Sequence, residues 1–239
     1  MRLAILSDIH GNLTALNRVL KRLDSLQIDD MICLGDVVGY GPHPNDCCNI
    51  IHQNCRFCIA GNHDFAALRL LDSRNFNPFA RTAINWTVSI LTPENKAFLE
   101  TLNLYRAEGN MLFVHGSPVN PARFQYIMNR YDADEAFDVL NEQICFIGHT
   151  HVAGVFQPGY RLKQPSFTVQ LRDNQRYIIN VGSVGQPRDG DPRAAFAVLD
   201  TDASTLQVFR VEYDFRKTQK AMAAAGLPEY LIDRLEVGL

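Results

Sequence analysis

Five short clusters of side chains that can bind metals occur along this sequence, and each directly follows an apolar run. Aspartate, asparagine and histidine donate oxygen or nitrogen to a cation, and functional side chains collect where strands end. Taken singly, each such residue is a turn, a cap or a satisfied polar group. Burying all of them together without a cation is strongly unfavourable. The clusters are Ser7-Asp8-Ile9-His10, Gly35-Asp36, Gly61-Asn62-His63-Asp64, His115-Gly116-Ser117 and Gly148-His149-Thr150-His151.

The clusters supply more candidate ligands than one four-coordinate zinc site uses. Mixed imidazole, carboxylate and amide donors favour Mn, Fe, Zn, Co or Ni over Mg and Ca, which prefer oxygen alone. One shared carboxylate holds two cations about 3.5–4 Å apart, an arrangement that clamps a phosphoryl group during displacement. We therefore expect two divalent transition-metal ions, with manganese as the first choice. The candidate ligands are Asp8, His10, Asp36, Asn62, His115, His149 and His151.

The apolar runs that precede the clusters predict buried strands in an α/β fold. Runs at 2–6, 31–35 and 57–61 alternate with helical patterns at 12–26 and 44–52, which favours parallel pairing. Residues 65–102 are predicted to be helical in pieces, broken at Pro78 and Pro93. Further short runs and two helical stretches complete the chain, so we expect one domain over 1–239, with two packed sheets and helices outside. Those runs are 111–114, 144–148, 152–156, 166–171, 177–181, 194–199 and 206–212, with helices near 133–141 and from Phe215.

The order and spacing of the clusters resemble the calcineurin-like metallophosphoesterase superfamily, in its small stand-alone prokaryotic branch. The interval from Asp8 to Asp36 is 28 residues and that from Asp36 to Asn62 is 26, as in the family signature. The segment 180–190, NVGSVGQPRDG, is similar to the tail motif of those members, although Val181 stands where they often have proline. The resemblance implies an α/β (α+β) fold, a four-layer αββα sandwich of two mixed sheets flanked by helices, with a dimetal site at its edge.

The resemblance also implies a role for each residue of the signature. His63 is implied to protonate the leaving oxygen or to stabilise the transition state, with Asp64 orienting its ring. The function implied is hydrolysis of phosphodiester or phosphoanhydride bonds of small, nucleotide-like substrates by a metal-bridging hydroxide. The implied ligands are Asp8, His10 and His151 for the first ion, Asn62, His115 and His149 for the second, and Asp36 as the bridge.

One departure from the family concerns the residues after Asp36. The protein-phosphatase branch has an Asp-Arg pair where this chain has Gly39-Tyr40, so the arginine that grips phosphate is missing. Tyr40 and Arg188 are candidate substrate-binding residues, with Arg188 as the substitute cation. A structural pairing of Arg188 with Asp189 or Asp191 is the alternative. A Ser/Thr protein phosphatase and a non-catalytic scaffold of the same fold remain as alternative functions.

Composition limits the partners of the protein. A net charge of −3 and a pI of about 6.1 give no electrostatic footprint for duplex nucleic acid. No apolar run is long enough to span a bilayer, and the start MRLAILSDIHGN lacks a long apolar core, so we expect a cytoplasmic protein without a membrane partner. The expected partner is a small phosphorylated substrate, and the sequence leaves the oligomeric state open.

Several other prominent residues are assigned to packing or left open. The six cysteines are expected to be small buried core residues rather than a zinc knot. Trp86 is expected to make a core contact rather than to stack on a base. The loop after His115, with Asn120, Arg123, Phe124 and Tyr126, is a candidate for shaping substrate choice, and His43 is a weaker candidate for approaching the site.

Overall fold

A computed structural model describes residues 1–162, 164 and 166–239. The described helices are α1 (Leu13–Asp24), α2 (Pro44–Asn54), α3 (Asn62–Ala67), α4 (Pro78–Ile90), α5 (Pro93–Glu100), α6 (Arg130–Val139), α7 (Phe215–Ala224) and α8 (Glu229–Val237), with 3₁₀ turns at Ser73–Asn75 and Pro121–Arg123. The described strands are β1 (Arg2–Leu6), β2 (Asp30–Cys33), β3 (Phe57–Cys58), β4 (Tyr105–Glu108), β5 (Met111–Val114), β6 (Ile144–Ile147), β7 (Gly154–Gln157), β8 (Tyr160–Leu162), β9 (Phe167–Gln170), β10 (Tyr177–Asn180), β11 (Ala194–Asp200) and β12 (Thr205–Val211).

The described strands form two mixed sheets of six strands each. The order in the first sheet is β3-β2-β1-β11-β12-β9, and in the second it is β4-β5-β6-β10-β7-β8. Strands β1, β2 and β3 are parallel, and so are β5, β6 and β10, whereas β11 runs antiparallel to β1. The carboxyl ends of the parallel strands within each sheet therefore lie at one edge of that sheet.

Alternating side chains of each central strand serve two different cores. In β1, Leu3 and Ile5 join the core between the sheets, while Ala4 and Leu6 pack with α1 and α2. In β6, Phe146 faces the same inter-sheet core, while other β6 side chains pack against α6. Strands buried on both faces are apolar without interruption, which explains the runs in the sequence. The predicted four-layer αββα sandwich is confirmed.

The first helix and the two proline-initiated helices agree with their sequence signals. The side chain of Asn12 accepts a hydrogen bond from the Ala15 amide and caps α1. Pro78 and Pro93 are the first residues of α4 and α5, where a proline loses no helical hydrogen bond. Strands β4 and β8 are not predicted from the sequence, because their side chains are mostly exposed and therefore form no apolar run.

The cysteines occupy packing positions, as expected. All six are free; four are buried and two are partly buried. Burial raises the pKa of the Cys47 and Cys48 thiols well above the ordinary value, which suits side chains that pack as small apolar groups. Within the part of the chain that the structure describes, no helix is long and apolar enough to cross a membrane.

Candidate metal centre

The predicted clusters meet at one end of the sandwich, and they come from both sheets. Asp8 and His10 follow β1, and Asp36 follows β2. His115 and the pair His149 and His151 follow β5 and β6 of the second sheet. The sequence pattern predicted that the strand ends converge, and the packing of the two sheets joins the two halves.

Several cluster residues adopt left-handed backbone conformations that side chains rarely favour. The φ angles are +54° for Asp8, +50° for His10, +52° for Asp36, +65° for His149 and +60° for His151. Such a conformation costs about 1–3 kcal/mol per residue and persists only when the surrounding structure enforces it. Backbone amides of Asp8 and His10 donate to the carbonyls of Gly35 and Asp36, at 3.0 and 2.9 Å. The strand-end loops therefore hold one another in these strained turns.

The tail motif at 180–190 supports the same loops. The Asn180 amide group donates to the Gly148 carbonyl, and the Ser183 hydroxyl donates to the Asp8 carbonyl at 2.8 Å. Gly185 lies so close that a Cβ there would stand 1.9 Å from the Ile9 carbonyl oxygen. The motif is thus a structural support for the β1 and β6 loops.

Two groups of buried potential ligands share one carboxylate. The first group contains Asp8, His10, Asp36 and His151, and the second contains Asp36, His115 and His149. Within each group the ligand atoms lie within 4.8 Å of one another, and every member is buried. Asp36 belongs to both groups, which is the position of a bridge between two ions. The buried cluster fits a dinuclear divalent metal site.

The histidine tautomers direct one ring nitrogen into the cluster. Nδ1 of His10, His115 and His151 lies 3.0, 2.7 and 2.6 Å from the carbonyl oxygens of Val38, Leu34 and Gln186. A carbonyl oxygen only accepts, so each Nδ1 carries a proton and leaves Nε2 as the ligand atom in the neutral ring. The Nε2 atoms of His10 and His151 are 3.1 Å apart. Two nitrogen lone pairs that face each other at this distance repel, and a cation bound by both would remove that repulsion.

Buried oxygens without donors lead to the same conclusion. Oδ2 of Asp8 accepts the His149 amide at 3.0 Å, but Oδ1 of Asp8 has no hydrogen-bond donor among the described residues. Oδ1 of Asn62 is equally unpartnered there. Oδ1 of Asp36 accepts the His63 amide at 2.8 Å, which leaves Oδ2 facing His115 at 3.3 Å. An unsatisfied buried acceptor is unfavourable unless it binds a ligand.

The charges of the metal-free cluster show that it requires positive charge. Burial alone lowers the pKa of His115, but the Asp36 and Asp8 carboxylates outweigh it and raise the pKa to about 10. Burial likewise raises the pKa of Asp36, yet His115 and His63 hold it well below its ordinary value. Burial and then His115 lower the pKa of His149 to about 3. The His115 imidazolium therefore supplies a charge that a divalent ion would replace.

Asp64 supports the backbone around Asp36. Its carboxylate is fully buried. Orientation of the His63 ring by Asp64 stays a prediction, because Nδ1 of His63 has no hydrogen-bond partner in residues 1–162, 164 and 166–239. Asp64 is the third residue of α3, so its side chain points back toward the amides before the helix. Its oxygens accept the amides of Val37 and Val38 at 2.9 and 3.2 Å and those of Asp36 and Gly61 at 2.8 and 3.0 Å.

Three aromatic rings lie close to the ring of His63. The rings of Tyr40, His10 and Phe76 have centroids 4.5, 4.8 and 5.0 Å from that of His63. A Cβ at Gly39 would lie 2.4 Å from Nδ1 of His63, and Gly39 has a φ of +91°. Only glycine meets both conditions, so Gly39 keeps the space in which the His63 ring sits.

Arg188 lies beside this ring cluster. Its guanidinium donates to the Tyr40 hydroxyl at 3.2 Å and to Oε1 of Gln186 at 2.9 Å. The alternative pairing with Asp189 or Asp191 is not what the structure shows: Asp189 pairs with Arg210, and Asp191 forms a bidentate pair with Arg193. The Arg188 charge also lowers the pKa of His63 and His151, although burial is the larger cause for each. Arg188 is therefore a cation at the edge of the cluster.

A recess of about 360 Å³ opens beside the cluster, and we call it the side recess. Its lining includes the buried residues Asn62, His63 and His149 and the more exposed aromatic residues Phe76 and Tyr126. The Tyr126 ring stacks on that of His149 with centroids 3.9 Å apart and an angle of 9°. Tyr126 is a candidate from the sequence, whereas Phe76 is not, because its local signal is limited to its position before the helix start at Pro78.

Of the other candidates, His43, Trp86 and Asn120 are not among the residues that line the recess or form the metal cluster. His43 precedes α2 and pairs with Asp46 at 3.6 Å. Trp86 packs against the apolar cluster of α4, α7, α8 and Tyr40, as expected of a core contact. Arg123 and Phe124 line the recess with Tyr126, whereas Asn120 precedes the 3₁₀ turn at Pro121–Arg123 and is not among the lining residues.

Comparison with known proteins finds one matching family model and several similar chains. Residues 1–204 match the model of the calcineurin-like phosphoesterase superfamily domain. The chain is 36% identical over 241 residues to the uncharacterized protein MJ0912 of Methanocaldococcus jannaschii, covering 99% of this chain and 98% of that one. It is similar to the crystal structure of a metallophosphoesterase from Sphaerobacter thermophilus, with a TM-score of 0.91, 40% identity, and coverage of 100% and 99%. Hypothetical protein PH1004 from Pyrococcus horikoshii OT3 shares the fold, with a TM-score of 0.80, 21% identity, and coverage of 100% and 98%.

Proposed function

We propose that this chain, which belongs to the calcineurin-like phosphoesterase superfamily, hydrolyses phosphodiester or phosphoanhydride bonds of small, nucleotide-like substrates. The observation that carries the proposal is the sharing of Asp36 between two groups of buried ligands. A shared carboxylate is the geometry that holds two cations on either side of a reacting phosphoryl group. Manganese is the ion we propose first, with Fe, Ni, Co and Zn as alternatives that suit the same donors.

The ligand assignment follows the two groups and the unpartnered oxygen of Asn62. In this proposal Asp8, His10 and His151 hold one ion, Asn62, His115 and His149 hold the other, and Asp36 contacts both. When bound, the ions neutralise phosphoryl oxygens and lower the pKa of a water molecule so that it becomes a nucleophile at neutral pH. The remaining tasks, which are binding the phosphate and delivering a proton, belong to other side chains.

His63 is the proposed proton donor to the leaving oxygen. Burial, followed by the Arg188 charge, lowers the pKa of His63 to about 4 although Asp36 opposes the change. A phosphate anion bound beside the His63 ring raises its proton affinity, because opposite charges favour the imidazolium. Since the ring lines the side recess, it faces the position that a leaving group would occupy.

Arg188 and Tyr40 are the proposed contacts to the non-reacting phosphoryl oxygens. The hydrogen bonds from Arg188 to Tyr40 and Gln186 use one of its terminal nitrogens, so further N–H donors of the guanidinium are available. A single fixed guanidinium suits a monoanionic diester, whereas a dianionic monoester benefits from further positive charge. Diesters and anhydrides are therefore the proposed substrates in preference to monoesters.

A substrate panel on metal-stripped protein tests the proposal. The protein is reloaded separately with Mn, Fe, Co, Ni, Zn and Mg and assayed with a bis-aryl phosphate, an aryl monophosphate, dinucleoside polyphosphates and a phosphopeptide. We expect turnover of diester or anhydride with a transition metal, and loss of turnover in Asp36→Asn. The matched control is Asp30→Asn, a partly exposed carboxylate paired with Arg56. Highest kcat/KM with the phosphopeptide would indicate a protein phosphatase, and a metal-loaded protein without turnover of any substrate would indicate a scaffold.

A further inference from the structure

We infer that the side recess is the binding site of the leaving group and that it takes a nucleoside, with Phe76 and Tyr126 as the aromatic surfaces for its base. This inference rests on the proposed function, because it names the substrate class of the same site. It assigns a specificity role to the segment between α3 and α4 and to the loop after β5. The family signature includes neither Phe76 nor Tyr126.

The recess lies where a leaving group must lie. The recess is lined by the buried side chains of His63, Asn62 and His149, so it adjoins the proposed proton donor. A leaving oxygen within hydrogen-bond reach of the His63 ring has its attached carbon chain directed away from the cluster. The same recess is lined by Phe76, whose ring is 5.0 Å from that of His63, and by Tyr126, which stacks on His149.

The walls of the recess combine aromatic faces with amide groups. Tyr126 uses one ring face on His149 and is 49% exposed, which leaves its other face available. Asn75 and Asn77 line the same recess. Oδ1 of Asn77 accepts the Ala80 amide, so the Asn77 side-chain N–H groups are the donors it can offer. Stacking on a ring together with amide hydrogen bonds to ring acceptors is how proteins recognise an unpaired base. An alkyl leaving group would use neither feature.

The size of the recess favours a single nucleoside. Small-molecule sites span about 300–1,000 Å³, and the recess of about 360 Å³ lies near the lower limit. A folded protein substrate presents a chain, not a compact ring system, to such a space. The loop that carries Tyr126 is also firmly placed: the Ser117 amide donates to the Gln125 carbonyl at 2.8 Å, and a Cβ at Gly116 would stand 2.7 Å from that same oxygen. The stacking surface thus exists before the ligand arrives.

The direction of cleavage of adenosine 5′-methyl phosphate tests the inference. Both ester oxygens are alkoxides, so chemistry alone does not strongly favour either one as the leaving group. Water attacks phosphorus and one P–O ester bond breaks, with the departing oxygen taking a proton. If the nucleoside occupies the side recess, the products are adenosine and methyl phosphate, in at least roughly tenfold excess over AMP and methanol. Equal formation of the two product pairs would overturn the inference and leave the proposed phosphodiesterase function intact.

Two variants and two matched controls connect that result to the walls. Tyr126→Ala and Phe76→Ala should each lower the product ratio and weaken kcat/KM for this substrate by roughly tenfold to a hundredfold. Tyr131→Ala and Phe79→Ala remove exposed rings outside the recess, and we expect no change in the ratio. An unchanged ratio in both recess variants would also overturn the inference.

Adenosine binding separates failure of the inference from failure of the proposed function. The dissociation constant of adenosine is measured by titration calorimetry on the metal-loaded protein and on the same variants. We expect Tyr126→Ala to weaken binding by roughly tenfold or more, while Tyr131→Ala leaves it unchanged. If no ester is hydrolysed with any metal but adenosine binds in this way, the proposed function fails and the recess assignment stands. If the parent protein does not bind adenosine, the assignment of the side recess as a nucleoside site is wrong.

Discussion

Replacement of Asp64 by asparagine tests the role that the structure gives to this buried carboxylate. Asp64 accepts four backbone amides, two on each oxygen, and is fully buried. Asparagine keeps one oxygen and places an NH₂ group against the other pair of donors. Two buried N–H groups then lose their acceptor. Each such loss costs about 1–3 kcal/mol, so we expect the free energy of unfolding to fall by about 2–6 kcal/mol.

The assay is urea unfolding of metal-free Asp64→Asn and of the parent protein, with unchanged slopes required for a valid comparison. The matched control is Asp132→Asn. Its carboxylate also accepts two backbone amides, those of Met128 and Asn129, but it lies at the surface. Both amides donate to the same oxygen, which asparagine retains, so the expected effect is about 1 kcal/mol or less.

The opposite result would favour the role that the family resemblance implies for Asp64, which is to orient the His63 ring. If Asp64→Asn unfolded within about 1 kcal/mol of the parent, the four amides would not depend on the charge of this side chain. If turnover were then lost selectively for substrates with poor leaving groups, Asp64 would act through His63 after all. The structure predicts instead that any loss of activity accompanies loss of metal, because Asp64 holds the backbone of Asp36.

Three further predictions follow from the site. His63→Gln should retain metal and lose roughly 10²–10⁴-fold in turnover, most for alkyl leaving groups and least for good phenolates. Equal losses of turnover across a leaving-group series, with metal depletion, would contradict the role of proton donor. Elemental analysis should find two ions per chain in the Mn-loaded parent and in Asp30→Asn, but loss of both ions in Asp36→Asn. A full metal complement in Asp36→Asn would show that Asp36 is not the bridge. Arg188→Met should raise the inhibition constant of inorganic phosphate by roughly tenfold, which corresponds to the loss of one charge-assisted contact. An unchanged inhibition constant would show that Arg188 does not bind phosphate.

Local patterns were sufficient for most of the architecture. Strands such as β1 and β6 are buried on both faces, so their apolar runs are visible without any knowledge of their partners. Caps and helix-initiating prolines act within a few residues, and α1, α4 and α5 begin where their signals stand. Edge strands β4 and β8 were missed because exposed strands carry no apolar run.

The candidate site, like the fold, was predictable from the sequence only in part. The donor types and their positions after apolar runs were readable in the sequence, and the structure brings Asp8, His10, Asp36 and His151 together, with Asp36 shared by His115 and His149. The partners of Asp64 and Arg188 were not readable. Arg188 and Tyr40 are 148 positions apart, and their contact depends on how the loop at 186–190 folds against the β2 loop.

By itself, the sequence determined the chemistry available to this protein and the strands that deliver it. Residue type decides which atoms can bind a cation, and the period of an apolar run is a local property. Only the tertiary structure decided that the ligands come from two sheets, that Asp64 serves backbone amides, and that Phe76 and Tyr126 form the walls of one recess. Those facts depend on contacts between segments far apart in the chain, whose geometry is set by the packing of the two sheets and not by the residues on either side of each position.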